Sequence, residues 1–198
     1  LTTLHLSGNQ ITSIEALSGL VSLTRLNLDD GVADPHQIVQ RIHRNMLRIK
    51  LDDLDVNAAE VDLSSSKITN DDLILIVERL KEMPNLVKLK LHGNQITSIE
   101  GLSGLDGLTV LSLSGNQITS IEGLSGLVGL TELYLDSNQI TSIEGLSGLV
   151  DLRRLDLGGN QITSIEGLSE LVGLTELYLS NNQITSIEGL SGLVGLTE

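Results

Sequence analysis

The chain of 198 residues contains no Cys, no Phe and no Trp, and its only aromatic residues are Tyr134 and Tyr178. The missing Cys excludes disulfides, thiolate zinc sites and thiol nucleophiles. Without large aromatics, Leu, Ile and Val must supply nearly all the burial, which suits many thin, equivalent layers better than one thick interior. Basic residues are scarce as well: 12 Lys and Arg stand against 26 Asp and Glu, a net charge of −14. Ten of those 12 lie between Leu23 and Lys90, so the remainder of the chain is strongly acidic. Such a surface repels phosphate backbones, and no nucleic-acid partner is expected. No apolar run approaches the ~20 residues of a membrane-spanning helix, so no membrane span is expected and a soluble chain is. The sequence starts at Leu1 without Met, as a processed, trimmed or excerpted chain would.

What is present is repetition. The stretch NQITSIEGLSGL begins at Asn94 and returns unchanged at Asn116, Asn138 and Asn182, with near-copies at Asn9 and Asn160. Self-alignment gives a period of 22 residues, and the frame Leu-x-x-Leu-x-Leu-x-x-Asn opens at Leu1, Leu86, Leu108, Leu130, Leu152 and Leu174. In LTELYL (Leu130–Leu135), Leu133 and Leu135 alternate with Glu132 and Tyr134, as in a half-buried strand. Asn138 then turns the chain, and its amide can satisfy backbone groups that no neighbouring strand reaches. Ile140, Ile143, Leu146 and Leu149 return inward on the far side. One coil cannot bury that face alone, so coils must stack. The Gly-rich return is too short for a long helix and predicts a 3₁₀ turn. Within it, Thr141 and Glu144 have capping-box spacing, repeated at Thr97/Glu100, Thr119/Glu122, Thr163/Glu166 and Thr185/Glu188.

A period of 22 residues with this Leu/Asn frame resembles the leucine-rich repeats. The resemblance implies an α/β solenoid of about eight coils, with a parallel concave sheet and a convex side of 3₁₀ turns or short helices. It implies one solenoid over residues 1–198, interrupted by an irregular, helix-containing segment at 29–85. The frame with ITSIEGLSGL is similar both to the regulatory subunit of type-1 protein phosphatase and to the internalins, bacterial surface adhesins. AEVDLSSSKITNDDLILIVERLKEMPNLVKLKL resembles the longer repeat of the ribonuclease-inhibitor group. Ala58 to Leu86 spans 28 residues there, with Leu73, Val77 and Leu80 on the inner face of a helix opened at Asn70 and closed before Pro84. Ser66 stands at the ladder Asn position, which predicts an interrupted ladder.

Upstream, Asp34-Pro35 and the spacing of Ile38, Val39, Ile42 and Met46 predict a helix over about 35–46. His36, Arg41, His43, Arg44, Arg48 and Lys50 make a local basic island on or just after it. Met46-x-x-Ile49-x-Leu51 fits a further strand frame, and the register of 46–58 stays open.

Nothing in the chain assembles a catalytic or metal-binding constellation. His36 and His43 are seven residues apart, about 10 Å along a helix, too far to share a metal. Asp53-x-Asp55-x-Asn57 begins like a calcium loop, but Ala58 replaces the turn Gly and Ser64 the bidentate Glu. No catalytic residue, cofactor or metal ligand is assigned, and the chain is expected not to be an enzyme.

Positions that the copies share serve the coil, and positions where they differ are free for other work. The differences fall mainly on the strand-face positions and the two residues before the ladder Asn: Lys88, Lys90 and His92; Val110, Ser112 and Ser114; Glu132, Tyr134 and Asp136; Arg153, Arg154 and Asp156; Glu176, Tyr178 and Ser180. Of these, Lys88, Lys90, His92, Glu132, Tyr134, Asp136, Arg154, Asp156, Glu176 and Tyr178 are the candidate partner-binding residues. The resemblance makes this the concave face on which such repeats hold protein ligands. The expected function is therefore a non-catalytic scaffold for a protein partner. The alternatives are a structural or engineered array that self-associates end to end, or the targeting module of a larger protein.

Overall fold

The computed structural model describes residues 3–7, 25–27 (backbone only), 43–44 and 47–197. These fall into two compact units, Leu1–Leu54 and Asp55–Glu198.

In the first unit, β1 (Thr3–His5) pairs in parallel with β2 (Arg25–Asn27), with Leu4 opposite Leu26. The offset of 22 residues is that of the frames opening at Leu1 and Leu23. The helix expected at about 35–46 lies outside the described residues except for His43 and Arg44, which are helical. Residues 47–52 are also helical, which corrects the strand reading of Met46-x-x-Ile49-x-Leu51. The reason is visible in burial: Leu47 and Leu51, four apart, are buried while Ile49 between them is 46% exposed. That is helical spacing, where a strand would bury alternate residues. His36 and Arg41 of the basic island lie outside the described residues; Arg44, Arg48 and Lys50 are exposed.

The second unit is a parallel sheet in sequence order: β3 (Glu60–Asp62), β4 (Lys88–Lys90), β5 (Val110–Ser112), β6 (Glu132–Tyr134), β7 (Arg154–Asp156) and β8 (Glu176–Tyr178). Glu60 pairs with Lys88, an offset of 28 residues, and every later pairing is offset by 22. The chain therefore winds one coil per repeat. The longer coil returns through an α-helix (Asn70–Leu80), the others through 3₁₀ turns such as Glu122–Leu124 and Glu144–Leu146. The difference follows from sequence. NDDLILIVERL places Leu73, Ile76, Val77 and Leu80 on one face, all buried, whereas EGLSGL has too few residues and too much Gly to propagate. The helix opens at Asn70, as the sequence predicts, with Thr69 as its N-cap; Asp72 closes the helix start by accepting the Thr69 N–H (3.0 Å) and hydroxyl (2.8 Å). Among the described residues, no helix is long and apolar enough to cross a membrane.

Each coil contributes the same inner layer. Leu133, Leu135, Ile140, Leu146 and Leu149 are fully buried, and the equivalent residues of neighbouring coils lie directly beside them. Burying one such side chain contributes about 2 kcal/mol, but only when a neighbouring coil covers it.

The ladder Asn joins successive coils. The Asn138 Oδ1 accepts the Ile118 N–H at 3.0 Å, and its Nδ2 donates to the carbonyls of Leu113 (3.1 Å) and Leu135 (3.0 Å). Asn94, Asn116, Asn160 and Asn182 repeat this bonding one coil apart. The interruption expected at Ser66 takes a mild form. Asn94 reaches back into that coil, accepting from Ser66 N–H and Ile68 N–H at 3.0 Å each. The Ser66 hydroxyl bonds within its own coil, to the carbonyl of Ser64.

The Thr-x-x-Glu capping box is not formed. Each 3₁₀ turn starts at the Glu itself, with Ile as the preceding residue, so the Glu stands two positions too early to reach back. The Ser two residues before takes the role: Ser98, Ser120, Ser142, Ser164 and Ser186 hydroxyls accept the N–H of Glu100, Glu122, Glu144, Glu166 and Glu188 at 3.2–3.5 Å. At the join between coil types, the Asn70 amide spans to Thr97, donating to its hydroxyl (2.7 Å) and accepting its N–H (2.9 Å).

Candidate functional site

The register sorts the exposed strand residues into columns. Lys88, Val110, Glu132, Arg154 and Glu176 share one column, and Lys90, Ser112, Tyr134, Asp156 and Tyr178 the next. Each strand from β4 to β7 buries only its central Leu, so both columns lie on the same half-exposed side. Eight of the ten candidate residues thus lie on one side of the sheet, with His92 and Asp136 two residues beyond β4 and β6, and they divide into two clusters separated by Val110 and Ser112.

The first cluster includes residues absent from the candidate set. Lys90 Nζ pairs with Glu60 (2.5 Å) and lies 3.9 Å from Asp62, while Lys88 lies 3.9 Å from Glu60. His92 Nδ1 and the Ser64 hydroxyl are hydrogen-bonded at 2.9 Å. Glu60, Asp62 and Ser64 occupy the outward positions of the frame Ala58-x-x-Val61-x-Leu63, so carrying the strand frame one coil further back would have found them. The Lys90 ammonium holds the Glu60 carboxyl below its ordinary value, and hydrogen bonds from Ser64 lower Asp62. Charge in this cluster is locally balanced.

The second cluster is organised around Arg154. Its guanidinium carbon sits 5.5 Å from the Tyr134 ring centroid and 5.1 Å from that of Tyr178, so the cation is held between two aromatic rings. Arg154 also forms an ion pair with Glu176 across adjacent strands. The phenol of Tyr134 donates to Glu132 at 2.6 Å, and that of Tyr178 to Glu176 at 3.4 Å. Burial, reinforced by the hydrogen bond to Glu132 and its charge, pushes the Tyr134 phenol up to about 12. Asp136 accepts from the Ser114 hydroxyl, and Asp156 accepts the Gly158 N–H at 3.0 Å. Burial raises the Asp156 carboxyl above its ordinary value; the Gly158 N–H opposes this, the nearby Asp136 charge adds to it, and the Arg154 charge opposes it in turn.

The start of the calcium-like run is a local turn, in which the Asp55 carboxylate accepts the Asn57 N–H at 3.0 Å. Among the described residues, no group of three or more His, Asp or Glu is placed to hold a metal ion.

These features place the chain among known proteins. A family model described as Leucine Rich repeats (2 copies) matches residues 1–34, 84–126, 106–148, 128–170 and 150–192. No curated protein sequence matches. Among solved structures, the chain is similar to an internalin (inlF) from Listeria monocytogenes, at 27% identity and TM-score 0.61, over 94% of this chain and 56% of that one. The chain thus spans little more than half of that internalin's length. A second Listeria monocytogenes internalin (inlC2) aligns at 24% identity and TM-score 0.57, over 77% of this chain and 89% of that one. A Leptospira interrogans leucine-rich-repeat protein aligns at 23% identity and TM-score 0.58, over 98% of this chain and 52% of that one. The last two likenesses concern the fold alone. Frame, ladder, sheet and family match agree: the chain belongs to the leucine-rich repeat family.

Proposed function

We propose that the strand face of the Asp55–Glu198 unit, concave in this family, binds a protein partner, and that its centre is Tyr134, Arg154 and Tyr178. Leucine-rich repeats are a general protein-interaction module. One observation carries the location. The Tyr–Arg–Tyr stack is already ordered by cation–π contacts, an ion pair and two phenol hydrogen bonds, yet its side chains stay half exposed. Tyr and Arg dominate binding energetics because they bury large, amphipathic surfaces. Fixing them beforehand removes part of the ordering cost of association. In this reading the chain works without catalysis, and partner choice lies in the outward strand residues.

The test uses peptides selected for binding to the chain from a random display library. Tyr134→Ala combined with Tyr178→Ala should weaken the selected peptides by about 10-fold or more, the scale of one good anchor. Unchanged affinity would move the site elsewhere. Light scattering over a concentration series separates this reading from a self-associating array, which would grow into linear oligomers.

A further inference from the structure

We infer that the partner segment held by this face is basic, an extended stretch whose Arg or Lys side chains meet Glu132, Asp136 and Asp156. The inference rests on the strand face being the binding surface, and adds the chemistry of what it takes.

On β3 and β4, Lys88 and Lys90 are matched by Glu60 and Asp62, so neither ammonium stands clear to receive an acidic partner. On β6 to β8, the single cation Arg154 is matched by Glu176 and enclosed by the two rings. Glu132, Asp136 and Asp156 form no ion pair within 4 Å among the described residues; their direct contacts are a phenol, Ser hydroxyls and one backbone N–H, and Arg154 acts on Glu132 and Asp156 only at longer range. Most local donors are likewise committed, and the Arg154 Nε–H, which has no hydrogen-bond partner, is buried rather than offered to a visitor. The Tyr134 and Tyr178 phenols donate to Glu132 and Glu176, Arg154 donates to Glu176, and the Ser114 hydroxyl donates to Asp136. What this part of the face offers a visitor is acceptor oxygens and ring faces, and ring faces favour cations.

The carboxylates are also arranged unfavourably in the free protein. Asp156 is half-buried close to Asp136, and Arg154, already paired with Glu176, offsets their repulsion only in part. A guanidinium or ammonium arriving there relieves that repulsion, whereas an acidic segment would increase it. Val110 and Ser112 on β5 carry no charge, so the acid-rich, aromatic half is bounded on the side of β4. The basic segment would therefore run across β6 to β8.

The exposed Glu100, Glu122, Glu144, Glu166 and Glu188 of the return side supply the control, because a chain of net charge −14 attracts any cationic peptide weakly. The probes are labelled peptides repeating Gly-Ser-Arg or Gly-Ser-Glu, read by fluorescence anisotropy at physiological salt. The Arg peptide should bind and the Glu peptide should not. Asp136→Asn with Asp156→Asn should weaken the Arg peptide about 10-fold, while Glu100→Gln, Glu122→Gln and Glu144→Gln together should change it less than about twofold. Equal losses in the two variants, or preference for the Glu peptide, would overturn the inference. Library-selected peptides separate the layers of the argument. Binders that depend on Tyr134 and Tyr178 but lack basic residues would overturn the basic partner and leave the face standing. Binders indifferent to both Tyr would overturn the face as well.

Discussion

Tyr134 and Thr141 belong to the same coil, seven residues apart, and obey opposite rules. From Asn138 to Leu149 the coil copies the one before it letter for letter and the one after it at all but Gly148, where Glu170 stands, so like residues meet like one coil away. Asn bonds to the coil before it, Ser caps each 3₁₀ turn, and Ile and Leu fill one layer. On the strand face the neighbours differ, and difference is what makes contact possible. Arg154 can lie between Tyr134 and Tyr178 only because its own coil carries neither, and Lys90 can reach Glu60 only because the adjacent coil is acidic. An identical row of charges would repel itself. The ladder and layers gain from sameness, and the strand face gains from complementarity.

The sharpest way to break this contrast is to remove one ladder rung. Asn138→Ala leaves the Ile118 N–H and the Leu113 and Leu135 carbonyls without their buried partner, each at about 1–3 kcal/mol. We expect a loss of about 4 kcal/mol in urea unfolding, against under about 0.5 kcal/mol for the exposed neighbour Gln139→Ala. Comparable losses would mean that the ladder is not what joins the coils.

A smaller effect separates two glycines of adjacent, identical copies of the repeat. A Cβ on Gly145 would overlap the Ile121 carbonyl oxygen of the preceding coil, whereas one on Gly126 meets nothing within 4 Å. Gly145→Ala should cost about 2 kcal/mol through a forced backbone shift. Gly126→Ala should be neutral or stabilise by about 0.5 kcal/mol, because it lowers the entropy of the unfolded chain. Thermal unfolding of the two variants, side by side, checks whether close coil contact sets the repeat.

The smallest expected effect is on the strand face and depends on pH. The Tyr134 phenol is held neutral up to about 12, while in the unfolded chain it ionises near the ordinary 10.0. The unfolded state then loses its proton first, so the Tyr134 contribution is intact below pH 10 and is lost as pH rises toward 12. Tyr134→Phe should show a shallower decline over that window. An identical alkaline decline in both proteins would show that burial and Glu132 do not restrain the phenol.

How much of this was legible beforehand follows the same division. The period, the ladder Asn, the inward Leu and Ile, and the helix of the 28-residue coil could be read because each depends on local spacing repeated many times. The cap could not. Whether Thr141 or Ser142 serves Glu144 turns on where the 3₁₀ turn begins, a matter of backbone angles at Ile143 that composition leaves open. Leu47 and Leu51 fit a helix face and Ile49 and Leu51 a strand frame equally well as letters; packing chose the helix. The ten candidate residues could be placed on one face from the frame alone. Their pairing could not, because Arg154 had two tyrosines and several acids within reach and only the register decides among them.

The central claim is that the varied face recognises and the repeated side supports. Its most direct measurement is the affinity of library-selected peptides for two double variants, Tyr134→Ala/Tyr178→Ala and Thr141→Ala/Thr163→Ala, each with its unfolding midpoint recorded. The account predicts about a 10-fold loss or more for the tyrosine pair with the fold intact, and affinity within about twofold of the parent for the threonine pair. Equal losses, or a loss confined to the threonine pair, would contradict it.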